Sequence, residues 1–264
     1  GFASSVFWPI GAWLDAWLGW RGALQVYALL NLVPCALLHA KFAGGPRPHP
    51  AGGGSVSTAL PGIGLAADRA RAALRLTALG FTLHAFVASA MSAHLVMLLG
   101  GFGFGAAVVV SAASLMGAAQ VAARIAEMSL QRRFSAIAVA VPSIALLPAA
   151  FVAALALPTA PWAAALFVVL FGCANGLMTI VRGALPLAVF GSRGYAELLG
   201  RIAGPGLIAA AAAPVVFSAL VESAGPQAGL ALLAACGFGA LASIVALVRL
   251  ARAGGGRLAG PPAR

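Results

Sequence analysis

Seven stretches of 18–24 residues, at 22–40, 76–98, 104–123, 134–157, 161–181, 204–221 and 228–248, contain no Asp, Glu, Lys or Arg. A helix rises 1.5 Å per residue and needs roughly twenty apolar residues to cross a hydrocarbon core of roughly 30 Å. Each stretch therefore reads as a transmembrane helix. An eighth apolar stretch, Gly1 to Leu14, would extend only about 21 Å and reads as a cut span, in keeping with the missing initiator Met. No basic leader or small-residue cleavage site marks it as a signal peptide. Asp15 and Trp17 to Arg21 then form a polar and aromatic turn, with tryptophans where a membrane interface favours them.

Composition agrees with this reading. With 62% hydrophobic and 8% charged residues and a mean hydropathy of +1.02, the chain cannot cover itself with polar surface as a soluble domain does. The net charge of +11 raises nucleic-acid binding. That function needs a solvated basic face with stacking aromatics, whereas these basic residues fall between apolar runs, so no nucleic-acid partner is expected. Cys35, Cys173 and Cys236 all lie within apolar runs at no metal-ligand spacing and read as small hydrophobic core residues.

The connections carry the organisation. Lys41 to Arg75 is the one long polar segment; Pro46, Pro48, Pro50 and Gly52 to Gly54 make it a linker, with a short surface helix conceivable at Pro61 to Leu74. Gly100, Gly101 and Gly103 form a turn; with no GK[ST] after them they make no phosphate loop. Pro142 and Pro148 kink the fifth span, and Pro158 to Pro161 is a tight turn. Pro186, Gly191 and Gly194 are expected to break the chain between the sixth and seventh spans, and a basic tail, Arg249 to Arg264, follows the eighth. If the spans alternate, 15 of the 16 basic residues fall on one side and only Arg21 on the other. By the positive-inside rule that side, with the linker and C-terminus, is cytoplasmic. The domain division that follows is 1–40, linker 41–75, six helices over 76–248, and tail 249–264.

The order of these features is similar to the major facilitator superfamily of secondary transporters: a span leading to Gly19-Trp20-Arg21, a span ending at a long basic linker, then six more spans. The resemblance implies an all-α polytopic bundle in which Gly1 to Ala40 corresponds to the family's fifth and sixth helices and Leu76 to Val248 to its seventh through twelfth, with the first four absent. Two motifs depart from the family pattern. Pro9-Ile10-Gly11 survives from a fifth-helix Gly-Pro signature, with Trp8 where the glycine would stand. GAAQVAAR, from Gly117 to Arg124, resembles a cytoplasmic gate motif that lacks its Asp. IVRGALPLAVFGSRGYAELLGRIAGP, from Ile180, resembles one bacterial branch of the superfamily.

Polar residues inside apolar spans are the functional candidates, since such groups face a cavity or another helix. His84 is about eight residues, roughly 12 Å, from the cytoplasmic end of its span, with Ser92 and His94 flanking its face at about 80°. Asn175 and Thr179 share a face beside Gly172 and Gly176, whose four-residue spacing suits close helix contact. The resemblance implies that both helices line a central cavity, which makes these five the substrate-pathway candidates; the plainer alternative for each is a hydrogen bond to a neighbouring helix. Gln120, Arg124 and Arg182 are the gate candidates, with topology anchoring as the alternative for the arginines. No carboxylate lies mid-span, so proton coupling would run through His84 or through the absent helices.

No enzyme activity is expected. Gly191-Ser192-Arg193-Gly194 has no nearby histidine, and His84 and His94 are ten apart rather than the three or four that pair ligands on one helix, so no metal and no cofactor are expected either. The expected function is movement of a small solute, with a proton as candidate coupling ion, across a bacterial inner membrane by alternating access, by a carrier that is monomeric when full length. The alternative is a non-transporting receptor or scaffold, or a transporter fragment without function.

Overall fold

The structure, a computed structural model, describes residues 2–42, 62–130, 134–156 and 161–254. Its regular elements there are seven helices: α1 (Phe2–Phe42), α2 (Ala67–Gly101), α3 (Ala106–Leu130), α4 (Ala136–Ala156), α5 (Pro161–Phe190), α6 (Tyr195–Ala224) and α7 (Pro226–Gly254). All seven are long and apolar enough to cross a membrane. The described residues are therefore all-α, with seven helices where eight spans are expected from the sequence. Two compact units are present, Val6–Thr58 and Ala59–Arg264, the latter with Gly1–Ser5.

The first two expected spans are one element, α1, broken only at Gly19, where φ 66° and ψ 169° leave the helical region. That backbone conformation is essentially restricted to glycine. Tyr27 Oη donates to the Phe7 carbonyl at 3.1 Å and the two rings stand 5.5 Å apart. Twenty residues of straight helix would separate them by about 30 Å. The chain therefore turns back at Gly19 into two adjacent arms. The Asp15 to Arg21 turn is correspondingly smaller than expected, a single residue in an otherwise helical run.

In the second unit, α2 runs parallel to α6, with Phe81 and Thr82 beside Gly206, Ser89 beside Ala210 and His94 beside Phe217. It runs antiparallel to α7, with Gly80 against Ile244 and Leu83 against Gly239. The same relations recur around α5. It runs parallel to α3, with Gly172 at Met116 and Gly176 at Gln120, and it packs on α4 through the rings of Phe151, Phe167 and Phe171. Helices α4 and α7 close the bundle, with Gly237 against Pro148. Exchanging α2, α3 and α4 for α5, α6 and α7 maps the α2–α6 and α2–α7 contacts onto α5–α3 and α5–α4, and α4–α7 onto itself.

Close approach explains the α3–α5 contact. A Cβ at Gly176 would lie 2.5 Å from Gln120 O and one at Gly172 2.7 Å from Met116 O, so only glycine allows the backbones this separation. Between helices in a bilayer such packing replaces the hydrophobic effect, because lipid is as apolar as a leucine side chain. On α6 the division is plain: Ile202, Gly206, Ala213 and Phe217 are buried, while Leu207, Ile208 and Val215 are 71%, 74% and 72% exposed. Ile208 and Val215 mark an outer, lipid-compatible face, whereas Leu207 borders the open space between α2, α5 and α6.

Several expected boundaries shift. Residues 62–66 precede α2 and dock on the end of α5, with Ile63 N donating to Val189 O at 3.2 Å, and over the described residues 62–74 of the expected surface helix no separate helix forms. Instead α2 starts at Ala67 and carries Arg69, Arg71 and Arg75 on its first turns. Pro186 does not break α5, which runs nine residues past the expected end at Val181; the break comes at Gly191 and Gly194, with φ 81° and 66°. Arg249 and Arg252 belong to α7 rather than to a tail. Most of the expected linker (43–61), Arg132 and Arg133, the turn at 157–160 and the tail beyond Gly254 lie outside the described residues.

Arg69 Nη1 donates to Ala253 O at 3.0 Å, joining the start of α2 to the end of α7, and the Ile63 contact brings the end of α5 to the same side. Arg69, Arg71, Arg75, Arg193, Arg201, Arg249 and Arg252 thus lie toward one end of the second unit, with Arg124 and Arg182 set back from it along α3 and α5.

Candidate functional site

Helix α2 turns a stripe inward through Ala73, Thr77, Gly80, Phe81, His84, Val87, Met91 and Leu95 at the three- and four-residue spacing of a buried helix face. His84 is only 2% exposed. Arg182, on α5 about 12 Å in from that helix's end at Phe190, places Nη2 3.2 Å from His84 Nδ1. A guanidinium has donors only, so Arg182 donates and Nδ1 accepts. The imidazole is then neutral, with its proton on Nε2. Among the described residues, His84 Nε2, Arg182 Nε and Thr82 Oγ1 are buried without a hydrogen-bond partner.

Beside this pair lies a cavity of about 520 Å³ between α2, α5 and α6. Its walls are small or apolar, Ala85, Ala88, Ala203 and Gly206 giving the space and Phe81, Leu199, Ile202 and Leu207 the apolar lining. Arg182 is the one charged residue on it, and Ser89 the one hydroxyl. Ser89 Oγ is already engaged, donating to Ala210 O at 2.7 Å. Tyr195 supports the wall from behind, its hydroxyl 2.6 Å from Gly183 O. No carboxylate among the described residues lies within ion-pair distance of Arg182. The chain has only five acidic residues: Asp68 pairs with Arg71, Glu197 with Arg201, Glu222 accepts from Ser218, and neither Asp15 nor Glu127 lines the cavity.

The gate candidates separate into two places. Arg124 Nε donates to Gly176 O at 3.4 Å, and Thr179 Oγ1 donates to the same carbonyl at 2.6 Å. Gln120, 8% exposed, supplies the backbone against which Gly176 packs. Gln120, Arg124 and Thr179 thus meet at the α3–α5 crossing, whereas Arg182 belongs with His84. Asn175 is half-buried on that helix, and Thr179 is exposed and bonded within its own helix. Ser92 is exposed, ten residues before Phe102, and does not line the cavity. His94 lies roughly 15 Å farther along α2 than His84, with Nδ1 3.2 Å from Ala90 O and its ring 5.2 Å from Phe217.

Sequence reasoning missed Ser89, Phe81 and Tyr195. A signal for the first two was present, because Phe81, Ala85, Ala88 and Ser89 recur at helical spacing along one flank of His84 and combine small residues with a hydroxyl. Tyr195 offered none, since its partner is a backbone carbonyl twelve residues away across a turn. No protein-family model, no curated protein and no solved structure matches this chain.

Proposed function

We propose that this chain is part of a secondary transporter of the major facilitator type, which moves a small solute across a bacterial inner membrane by alternating access. The observation that carries the reading is the cavity between α2, α5 and α6, lined by small side chains and reached by one charged residue, Arg182, about 12 Å inside the end of α5. An ionisable group within a spanning segment is by default a candidate for a solute or ion pathway. The interchange of α2, α3 and α4 with α5, α6 and α7 supports it, since carriers of this type are built from repeated helix triplets around a midplane site. In this reading the two arms of α1 count as separate spans, which brings the total to eight. The basic end of the second unit is the cytoplasmic one.

In this reading His84 holds Arg182 without adding charge, the cavity receives the solute, and the α3–α5 crossing at Gly176 with Gln120 and Arg124 belongs to the moving gate. The test is uptake into proteoliposomes by the full-length protein across a panel of candidate solutes, compared with His84→Ala, Asn175→Ala and Thr179→Ala. His84→Ala should change apparent affinity for the transported solute several-fold at unchanged membrane abundance. Wild-type kinetics in all three variants would remove the assigned residues, and the absence of any uptake would favour a receptor or scaffold.

A further inference from the structure

The geometry points to an organic anion with an apolar body as the solute of this cavity, its anionic group held by Arg182. The inference rests on the transporter reading for its function but not for its binding chemistry. A guanidinium inside an apolar bundle is unfavourable, and a partner ordinarily offsets this. Here the only side-chain partner is His84, a neutral acceptor, and none of the five carboxylates of the chain is within reach among the described residues. Among the described residues, then, the positive charge at the cavity wall is positioned but not neutralised.

Of the residues with an unpartnered buried polar atom, Arg182 alone lines the cavity, and its Nε is a donor; His84 and Thr82 do not line it. A cationic solute would find no counter-charge on this wall, and a sugar-like solute would find too few acceptors, since Ser89 is committed to Ala210. What remains beyond the charge is an apolar chamber of about 520 Å³, inside the usual range for small-molecule sites of roughly 300–1,000 Å³. A carboxylate accepts two parallel hydrogen bonds from a guanidinium, which suits Arg over Lys at this position.

The test is equilibrium binding to the full-length protein in phosphatidylcholine nanodiscs, with 4-phenylbutanoate and octanoate as probes and 4-phenylbutanamide and 4-phenylbutylamine as uncharged and cationic counterparts. The carboxylates should bind at least tenfold more tightly than the amide or amine. Arg182→Gln should abolish that preference, and Arg182→Lys should retain part of it. Ala88→Phe, which fills the chamber and leaves the charge, should weaken both carboxylates at least tenfold and keeps the proposal testable if Arg182→Gln fails to fold. Failure of both carboxylates to bind, equal binding of amide and carboxylate, or an unchanged preference in Arg182→Gln each overturns the assignment. Competition by added phosphatidylglycerol would assign the site to a lipid headgroup and also overturn it. Arg182-dependent binding without vesicle uptake would leave the anion site standing and remove the transporter reading. Uptake confined to neutral or cationic solutes and indifferent to Arg182→Gln would do the reverse.

Discussion

Substitution of Gly176 by alanine is expected to force α3 and α5 apart. The added Cβ would lie 2.5 Å from Gln120 O and 2.9 Å from Gln120 Cα, against an ordinary contact of roughly 3.5 Å between such atoms. Both atoms are backbone, so no rotamer change relieves the clash. Relief requires a shift of about 1 Å at the crossing, which would also lengthen the Arg124 bond to Gly176 O from 3.4 Å to beyond hydrogen-bonding distance. Overpacking of this kind destabilises by about 1–3 kcal/mol, a roughly 5- to 150-fold shift in the folding equilibrium. The control is Gly200→Ala on α6, where a Cβ meets nothing within 4 Å and the better helix propensity of alanine should be neutral or stabilising by up to about 1 kcal/mol. The assay is thermal unfolding of both purified variants in the same detergent, read by tryptophan fluorescence and by retention of a monodisperse peak. Equal stability of Gly176→Ala and Gly200→Ala would falsify the backbone-contact argument.

Three further outcomes are expected. With the native cysteines replaced by serine, Phe7→Cys and Tyr27→Cys should be joined by a short bifunctional maleimide, and adding Gly19→Ala, which places a side chain in a conformation disfavoured by about 1–3 kcal/mol, should sharply reduce the crosslinked yield; equal yields would argue against Gly19 as the point of reversal. Ser89→Ala should destabilise the α2–α6 pair by about 0.6–1.7 kcal/mol in reversible unfolding, and no loss would mean that the bond to Ala210 is replaced from elsewhere. Single cysteines at Arg193 and Ala253 should react with an impermeant thiol reagent from one face of the membrane, and cysteines at Phe102 and Gly225 from the other; labelling of all four from one face would contradict the helix directions.

The spans were legible because a bilayer imposes one requirement on twenty consecutive residues, and the uncharged runs at 76–98 and 134–157 meet it without reference to the rest of the chain. The Gly172 and Gly176 face was legible for a similar reason, since close backbone contact needs small residues one turn apart. Helix ends were less so. Nothing local to Pro186 says that α5 continues through it, because the backbone group that a proline frees is satisfied by surrounding structure. Arg69, Arg71 and Arg75 looked like the end of a linker, yet a helix leaving the membrane carries arginines without interruption. The pairing of His84 with Arg182 was beyond reach. The two are 98 residues apart, and which face of α2 meets which face of α5 depends on the whole bundle. Each was read as a separate candidate, one for the pathway and one for the gate, because sequence offers depth within the membrane but not azimuth.

The order in which α2 meets its partners bears on how the protein is made. Its principal neighbours, α6 and α7, begin about a hundred residues downstream of it. At ribosomal speeds of roughly 5–20 residues per second, α2 waits in the bilayer for about 5–20 s before either arrives. Thr77, Ser143 and Ser243 are provided for during such a delay, since each hydroxyl bonds the carbonyl four residues back in its own helix. His84 and Ser89 are not, as their partners lie on helices still to be synthesised. A nascent α2 therefore enters lipid with an imidazole and a hydroxyl awaiting α5 and α6, so that its polar groups are satisfied only once those later helices dock.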